Sequence, residues 1–315
     1  MTDISKTLRD VTLRQLRTFR AVAARGNISA AARELHLTQP AVSMQLRELE
    51  ASCGLPLYER AGRGIVLTAA GRELASAAGG VLDTLRSAQE TLDSLRGLRT
   101  GVLRLAVVST AKYFAPKILT AFAADYPTVN VQLLVGNREE TIERLASNEC
   151  DLAIMGTPPT EVPTLGFEFA PHPQVIIAAP GHPLAGQSKV GLQQLAGEGF
   201  LVRERGSGTR SAMEKFFALH QFNYRTAMEA GSNETIKQGV MAGMGLGFIS
   251  RHTIALELAA ERLVILDIQG LPVVRAWYVL HREGKRLSPA AAEFFNYLRE
   301  NGAACIKKMQ EPAVA

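Results

Sequence analysis

Beyond Thr68 no proline occurs until Pro116, and along that stretch Leu74, Ala78, Val81, Leu85, Ala88, Leu92 and Leu95 stand 4, 3, 4, 3, 4 and 3 residues apart. This is an a/d seam about three heptads long, and it predicts one unbroken helix with Thr68 as its N-cap. Gly79 and Gly80 lie inside it, each costing about 1 kcal/mol relative to alanine, so the helix is weak in isolation. Its polar neighbours Asp83, Arg86, Gln89, Glu90 and Asp93 leave one narrow apolar stripe. Such a stripe fits pairing with a second copy of the chain, and the alternative is packing on its own domain. Either way the helix divides the chain into a head at 1–67, a linker at 68–99 and a body at 100–315.

The charge divides in the same way. Residues 1–65 carry ten Lys and Arg against six acids, while the remaining 250 carry 25 against 24. A small basic head on a nearly neutral body suits a module that meets phosphates. Within it, Leu13, Leu16, Phe19 and Ala23 fall at helical spacing and Gly26-Asn27 ends the pattern. Ser29 is the expected N-cap of a short second helix through Leu35, and Thr38 caps a third from Ala41 to about Ser52, with Pro40 in a first turn. The third helix buries Val42, Leu46 and Leu49 and offers Gln39, Ser43, Met44 and Arg47 on its other face. Leu57 to Arg60 and Ile65 to Leu67 read as short strands around the basic glycine turn Ala61-Gly62-Arg63-Gly64.

"AARELHLTQPAVSMQLRELE" followed by "LPLYERAGRGIVLTAAG" resembles the winged helix-turn-helix of LysR-type transcriptional regulators, nearly continuously over residues 13–71. The resemblance implies DNA contacts at Thr38, Gln39, Pro40, Ser43, Gln45 and Arg47 around the recognition helix and at Arg63 in the wing. Met44 departs from the pattern, standing where many members have Arg or Lys. The resemblance also implies double-stranded DNA with inverted-repeat operators, a linker helix that pairs two heads into a homodimer, assembly into a homotetramer, and RNA polymerase as a further partner.

From Gly101 the pattern becomes apolar β-rich runs alternating with helical stretches. Val102–Val108, Val129–Val135 and Asp151–Met155 read as strands, with helices near Tyr113–Asp125 and Arg138–Glu149. A second series follows: strands at Gln174–Ala179, Phe200–Arg203, Ala227–Ala230 and Leu246–Ser250, and helices at Gly208–Gln221 and Asn233–Ala242. Val273–Leu280 is a further strand and Pro289–Asn301 a closing helix. The fold class is α/β with two small, mainly parallel sheets. The resemblance implies a two-lobed domain like periplasmic solute-binding proteins, lobe I at 100–165 and 270–303, lobe II at 166–269. The chain would cross between lobes near Thr157–Phe169 and Ile268–Pro272.

In such folds a ligand sits beyond strand carboxyl ends at helix N-termini. Three places qualify: Ser109 and Thr110 after the opening strand; Arg205, Thr209 and Arg210 in "RERGSGTR"; and Asn233, Glu234 and Thr235 at another helix start. Hydroxyls, free N–H groups and guanidiniums suit an anion. "VVSTAKYFAP" and "GSNETIKQGVMAGMGLGFIS" further resemble the CbbR-type regulators of RuBisCO and Calvin-cycle operons. That resemblance implies an activator of carbon-fixation genes with a phosphorylated effector such as a sugar phosphate or phosphoenolpyruvate, or NADPH. A LysR-type regulator of another metabolic operon with a carboxylate effector is the alternative.

Other classes lack their residues. Gly206 to Arg210 has no Lys-Ser/Thr to complete a phosphate loop, and the six histidines show no metal or nucleophile context, which argues against an enzyme, a resident cofactor and a metal. A transport solute-binding protein calls for a signal peptide, which Met1 to Asp10 does not resemble. Cys53, Cys150 and Cys305 are odd in number, far apart and without a C-x-x-C or metal spacing, so neither a disulfide framework nor a zinc site has support. No apolar run approaches the roughly 18 residues of a membrane span, so the expectation is a cytoplasmic protein with no membrane partner.

Overall fold

The computed structural model describes residues 10–62, 64–95 and 101–308. The chain divides into two compact units, Met1–Arg96 with Ala146–Glu149, and Gly97–Leu145 with Cys150–Ala315.

The first unit opens with α1 (Leu13–Arg25), α2 (Ile28–Glu34) and α3 (Gln39–Cys53). Thr12 and Gln15 form a capping box at the start of α1, and Gly26, at φ 58°, stops it in the left-handed region. Asn27, not the expected Ser29, caps α2: its Oδ1 accepts from the Ala30 N–H at 3.0 Å. Asn27 is extended while Ile28 is already helical, which puts Ser29 inside the first turn. Thr38 caps α3, which starts at Gln39, two residues earlier than expected. Phe19, Val22, Ala31, Val42, Leu46, Leu49 and Leu57 close a small core, each large side chain contributing about 1.5–3 kcal/mol by its burial.

Strands β1 (Tyr58–Ala61) and β2 (Gly64–Leu67) pair antiparallel with Ala61 opposite Gly64. The wing is tied to the end of α1, because Ile65 N–H donates to the Gly26 carbonyl at 2.8 Å. A Cβ on Gly64 would stand 2.9 Å from that carbonyl, so only glycine allows the approach. Helix α4 (Ala69–Leu95) follows, with Thr68 Oγ1 accepting from Gly71 N–H at 3.0 Å. Along its seam Leu74 packs into the head core and Ala78 is buried, whereas Val81, Leu85, Ala88 and Leu92 are exposed. The Leu95 side chain lies outside the described residues.

The second unit runs β3 (Gly101–Val108), α5 (Ala115–Asp125), β4 (Val129–Gly136), α6 (Arg138–Ala146), β5 (Leu152–Met155), β6 (Thr164–Ala178), β7 (Gly199–Arg203), α7 (Gly208–Leu219), β8 (Arg225–Ala230), α8 (Asn233–Met241), β9 (Leu246–Ser250), α9 (Ala255–Ala259), β10 (Val264–Ile265), β11 (Val273–Arg282) and α10 (Pro289–Lys308). The two separate sheets expected are instead one path, β4-β3-β5-β11-β6-β9-β7-β8, with β10 on β6. The parallel sets β4-β3-β5 and β9-β7-β8 flank the long antiparallel pair β6 and β11.

Two lobes nevertheless exist as separate cores. One gathers Leu105, Phe122, Ile154, Trp277 and Phe294. The other lies on both faces of β9-β7-β8, with Phe200, Phe217 and Phe248 on one side and Leu201, Ile236 and Ile249 on the other. Phe169 and Ala170 still belong to the first core and Val175 to the second, so β6 crosses between lobes at residues 171–174. On β11, Val273 packs in the second lobe and Trp277 in the first. The crossings therefore lie inside two paired strands, just beyond the expected stretches 157–169 and 268–272. All three cysteines are free thiols.

Candidate functional site

In the head, Thr38, Gln39, Pro40 and Arg47 are exposed and Ser43 is half-buried, all around the first half of α3. Ser29 Oγ donates to Gln39 Oε1 at 3.2 Å, which brings the N-termini of α2 and α3 side by side. Two helix starts and the exposed Arg47 on one surface form an anion-attracting face. Gln45 is placed differently from expectation. Its Oε1 accepts from the buried Thr18 hydroxyl at 2.6 Å, so the side chain braces α3 against α1. Arg63 lies outside the described residues.

In the second unit a cavity of about 380 Å³, its mouth included, opens between the lobes. The carboxyl ends of β3 and β5 bring Ser109, Thr110, Gly156 and Thr157; the starts of α6 and α7 bring Arg138, Ser207 and Thr209; the crossing strands bring His172 and Arg275. None of the lining residues is acidic. Thr110, Ser207 and Thr209 are almost fully buried, so their hydroxyls are held in place.

Arg275 spans the two lobes: Nη1 donates to the Gly208 carbonyl at 3.0 Å, while Nη2 donates to the Gly156 carbonyl at 3.1 Å and to Thr157 Oγ1. Burial first, then the nearby Arg138 guanidinium, pulls Arg275 below its ordinary pKa. Two cations thus share a partly desolvated space that holds no carboxylate, an arrangement that a bound anion stabilises. Arg138 Nη1 and His172 Nδ1 are buried with no hydrogen-bond partner among the described residues. His172 lies within 2.7 Å of Gln174 Nε2 through its Nε2. With that amide donating, the ring proton sits on Nδ1. Gly156 allows the ring this close, since a Cβ there would stand 2.9 Å from Nδ1. Burial, then Arg275 and His252, holds His172 well below the usual histidine pKa, so the ring is neutral.

Of the residues expected to bind an effector, Ser109, Thr110 and Thr209 line this cavity and five do not. Arg205 is exposed on a turn. Arg210 points at Glu214 and Glu229, at 2.8 and 2.6 Å, and these carboxylates push its pKa further up. Asn233 Oδ1 accepts from Arg203 Nη1 at 2.5 Å. Glu234 accepts from the Tyr113 hydroxyl at 2.6 Å and pairs with Lys237 at 2.8 Å. Thr235 is exposed. Each of these side chains has solvent or an internal partner to answer to, and the cations that face the cavity are Arg138 and Arg275. Among the described residues no helix is long and apolar enough to cross a membrane, and no cluster of His, Cys, Asp and Glu is placed to hold a metal.

Comparison with known proteins matches residues 13–72 to the bacterial regulatory helix-turn-helix protein, lysR family, and residues 96–303 to the LysR substrate binding domain. The RuBisCO operon transcriptional regulator of Allochromatium vinosum is 47% identical over 93% of this chain and 97% of its own. The regulatory domain of Synechocystis PCC6803 CcmR, solved in complex with 2-PG, is 44% identical with a TM-score of 0.62, covering 64% of this chain and 97% of that one. Full-length CbnR, solved with its target DNA complex, is 26% identical with a TM-score of 0.63, covering 92% of this chain and 99% of that one.

Proposed function

Because the chain belongs to the LysR family of bacterial transcriptional regulators, we propose that its inter-lobe cavity reads the level of a small phosphorylated acid and that this reading sets how its paired heads hold an operator. The chain is a DNA-binding regulator related to those of carbon-fixation operons, and its relatives are regulators, not enzymes. The observation that carries the effector class is the pair Arg138 and Arg275 facing one cavity with no acidic lining residue. Guanidinium groups bind phosphate and carboxylate oxygens through paired N–H donors, and Thr110, Thr209 and His172 Nδ1–H add neutral donors around them. A relative's regulatory domain solved with 2-PG makes a small phosphorylated acid, such as 2-phosphoglycolate or phosphoenolpyruvate, the first candidate.

The exposed stripe of Val81, Leu85, Ala88 and Leu92 supports pairing of α4 with a second copy, which gives two heads on an inverted repeat. A ligand held between lobes changes their arrangement only by preferring one arrangement over another. Activation through RNA polymerase and assembly of dimers into tetramers belong to the same proposal. Footprinting of the full-length protein on the promoter of its target operon, with and without 2-phosphoglycolate, tests it: a changed protection pattern is expected, and an identical pattern with every phosphorylated acid tried would refute it.

A further inference from the structure

The recognition helix carries an apolar residue that the head does not use. Met44 is 57% exposed, in the middle of α3. At 100° per residue it stands nearly opposite the buried stripe of Val42, Leu46 and Leu49. Ser43 is beside it, Pro40 one turn before and Arg47 one turn after. It therefore occupies the middle of the surface that holds the expected DNA contacts, and it is continuous with them.

We propose that Met44 is a base-reading residue that packs against the C5 methyl of a thymine in each operator half-site. Among the groups that base edges present in the major groove, the thymine methyl is the apolar one, and the others are hydrogen-bond donors and acceptors. Methionine is unbranched and polarizable, so it follows an uneven surface and buries its methyl without needing a fixed partner geometry. The neighbouring Ser43, Gln39 and Arg47 can answer the polar edges and the phosphates. A thioether at this position makes no charge contact with the backbone, so its effect falls on sequence choice and not on general affinity.

The inference rests on α3 entering the major groove. The experiment starts with full-length protein selecting a duplex from random-sequence DNA. Each thymine of the selected inverted repeat is then replaced, symmetrically in both half-sites, by deoxyuridine, which removes only the methyl. One symmetric pair is expected to weaken wild-type binding by about fourfold per half-site, the equivalent of one buried methyl group. Met44→Leu should keep that sensitivity and Met44→Ala should lose it. No methyl-sensitive thymine in the wild type, or full sensitivity in Met44→Ala, overturns the proposal. Met44→Ala that binds too weakly to titrate on every duplex would also overturn the proposal, since it would place Met44 in general affinity. Arg47→Ala on the same duplex separates the two readings. Unchanged binding there rejects α3 as the groove helix, while weakened binding without a methyl-sensitive position removes Met44 only.

Discussion

Arg275 stands directly opposite His172 in the antiparallel pair of β6 and β11, at the point where both strands cross between the lobes. Opposed residues share a face of the sheet, so both side chains reach the same cavity. The indole of Trp277 stacks on His172 with ring centroids 3.7 Å apart, and Trp277 Nε1–H donates to His252 Nδ1 at 3.1 Å. The His172 imidazole thus lies flat against a fully buried tryptophan. A ligand that touches Arg275 and His172 together would meet both crossing strands at once, and would thereby gain a grip on the arrangement of the two lobes.

Removing a single cavity donor should weaken the effector without unfolding the domain. Thr110→Val keeps the shape and deletes a buried hydroxyl, and should cost about 1–3 kcal/mol of affinity for 2-phosphoglycolate. Arg138→Gln removes a charged donor and should cost about 1.5–3 kcal/mol. Arg210→Ala, whose guanidinium is occupied by Glu214 and Glu229, should leave affinity unchanged. Calorimetric titration of the three variants checks this ordering.

Much of this was legible in the residues, and the failures have physical causes. Helices α1 and α3 and strands β3, β5, β7 and β9 announced themselves by period, caps or apolar runs, because the helices bury one stripe and these strands are almost wholly buried. Pro171 and Pro173 hid the first half of β6. They fit there because residues 164–173 pair with β11 on one side, while β9 joins the other side only from Gln174, and proline is tolerated where a strand edge is unpaired. Of the helix starts read as anion sites, that of α7 faces the cavity and that of α8 spends Asn233 on Arg203. A cap motif cannot tell these apart, since the partner is distant in sequence. Arg275 was visible as a lone charge in the apolar run Val273-Val274-Arg275-Ala276-Trp277, and that was the overlooked signal.

Acid should destabilise the effector-binding unit before its carboxylates titrate. His172 is held well below the usual histidine value, and His252, desolvated and close to Arg251, is pulled down to about 4. In the unfolded chain both titrate near the ordinary 6.5, so below that pH the unfolded state binds more protons and stability falls as pH falls. The expected loss runs from about pH 6.5 down toward the folded-state values. Thermal midpoints measured between pH 7.5 and 5 should drop in the wild type and drop less in His172→Gln. Equal slopes would show that His172 binds its proton alike in both states.

The exposed seam of α4 should hold two chains together. Leu85 and Leu92 are 44% and 52% exposed in one chain, and replacing both by Asp would place unpaired charges in a dimer contact, a change worth several kcal/mol when buried. Sedimentation of the double variant should show a smaller particle than the wild type. An unchanged mass would mean that the stripe is not the dimer contact.

The most direct measurement is a titration of full-length wild-type protein and of Arg275→Ala with 2-phosphoglycolate, followed through the fluorescence of Trp277, which is the one tryptophan in the chain. Because Trp277 stacks on a ring that lines the cavity, the wild type should show a saturable change in emission. Arg275→Ala should need at least tenfold more ligand, in keeping with the loss of a charge-assisted contact of about 1.5–3 kcal/mol. No saturable change in the wild type with any small phosphorylated acid, or the same affinity in Arg275→Ala, would contradict the assignment of this cavity as the effector site.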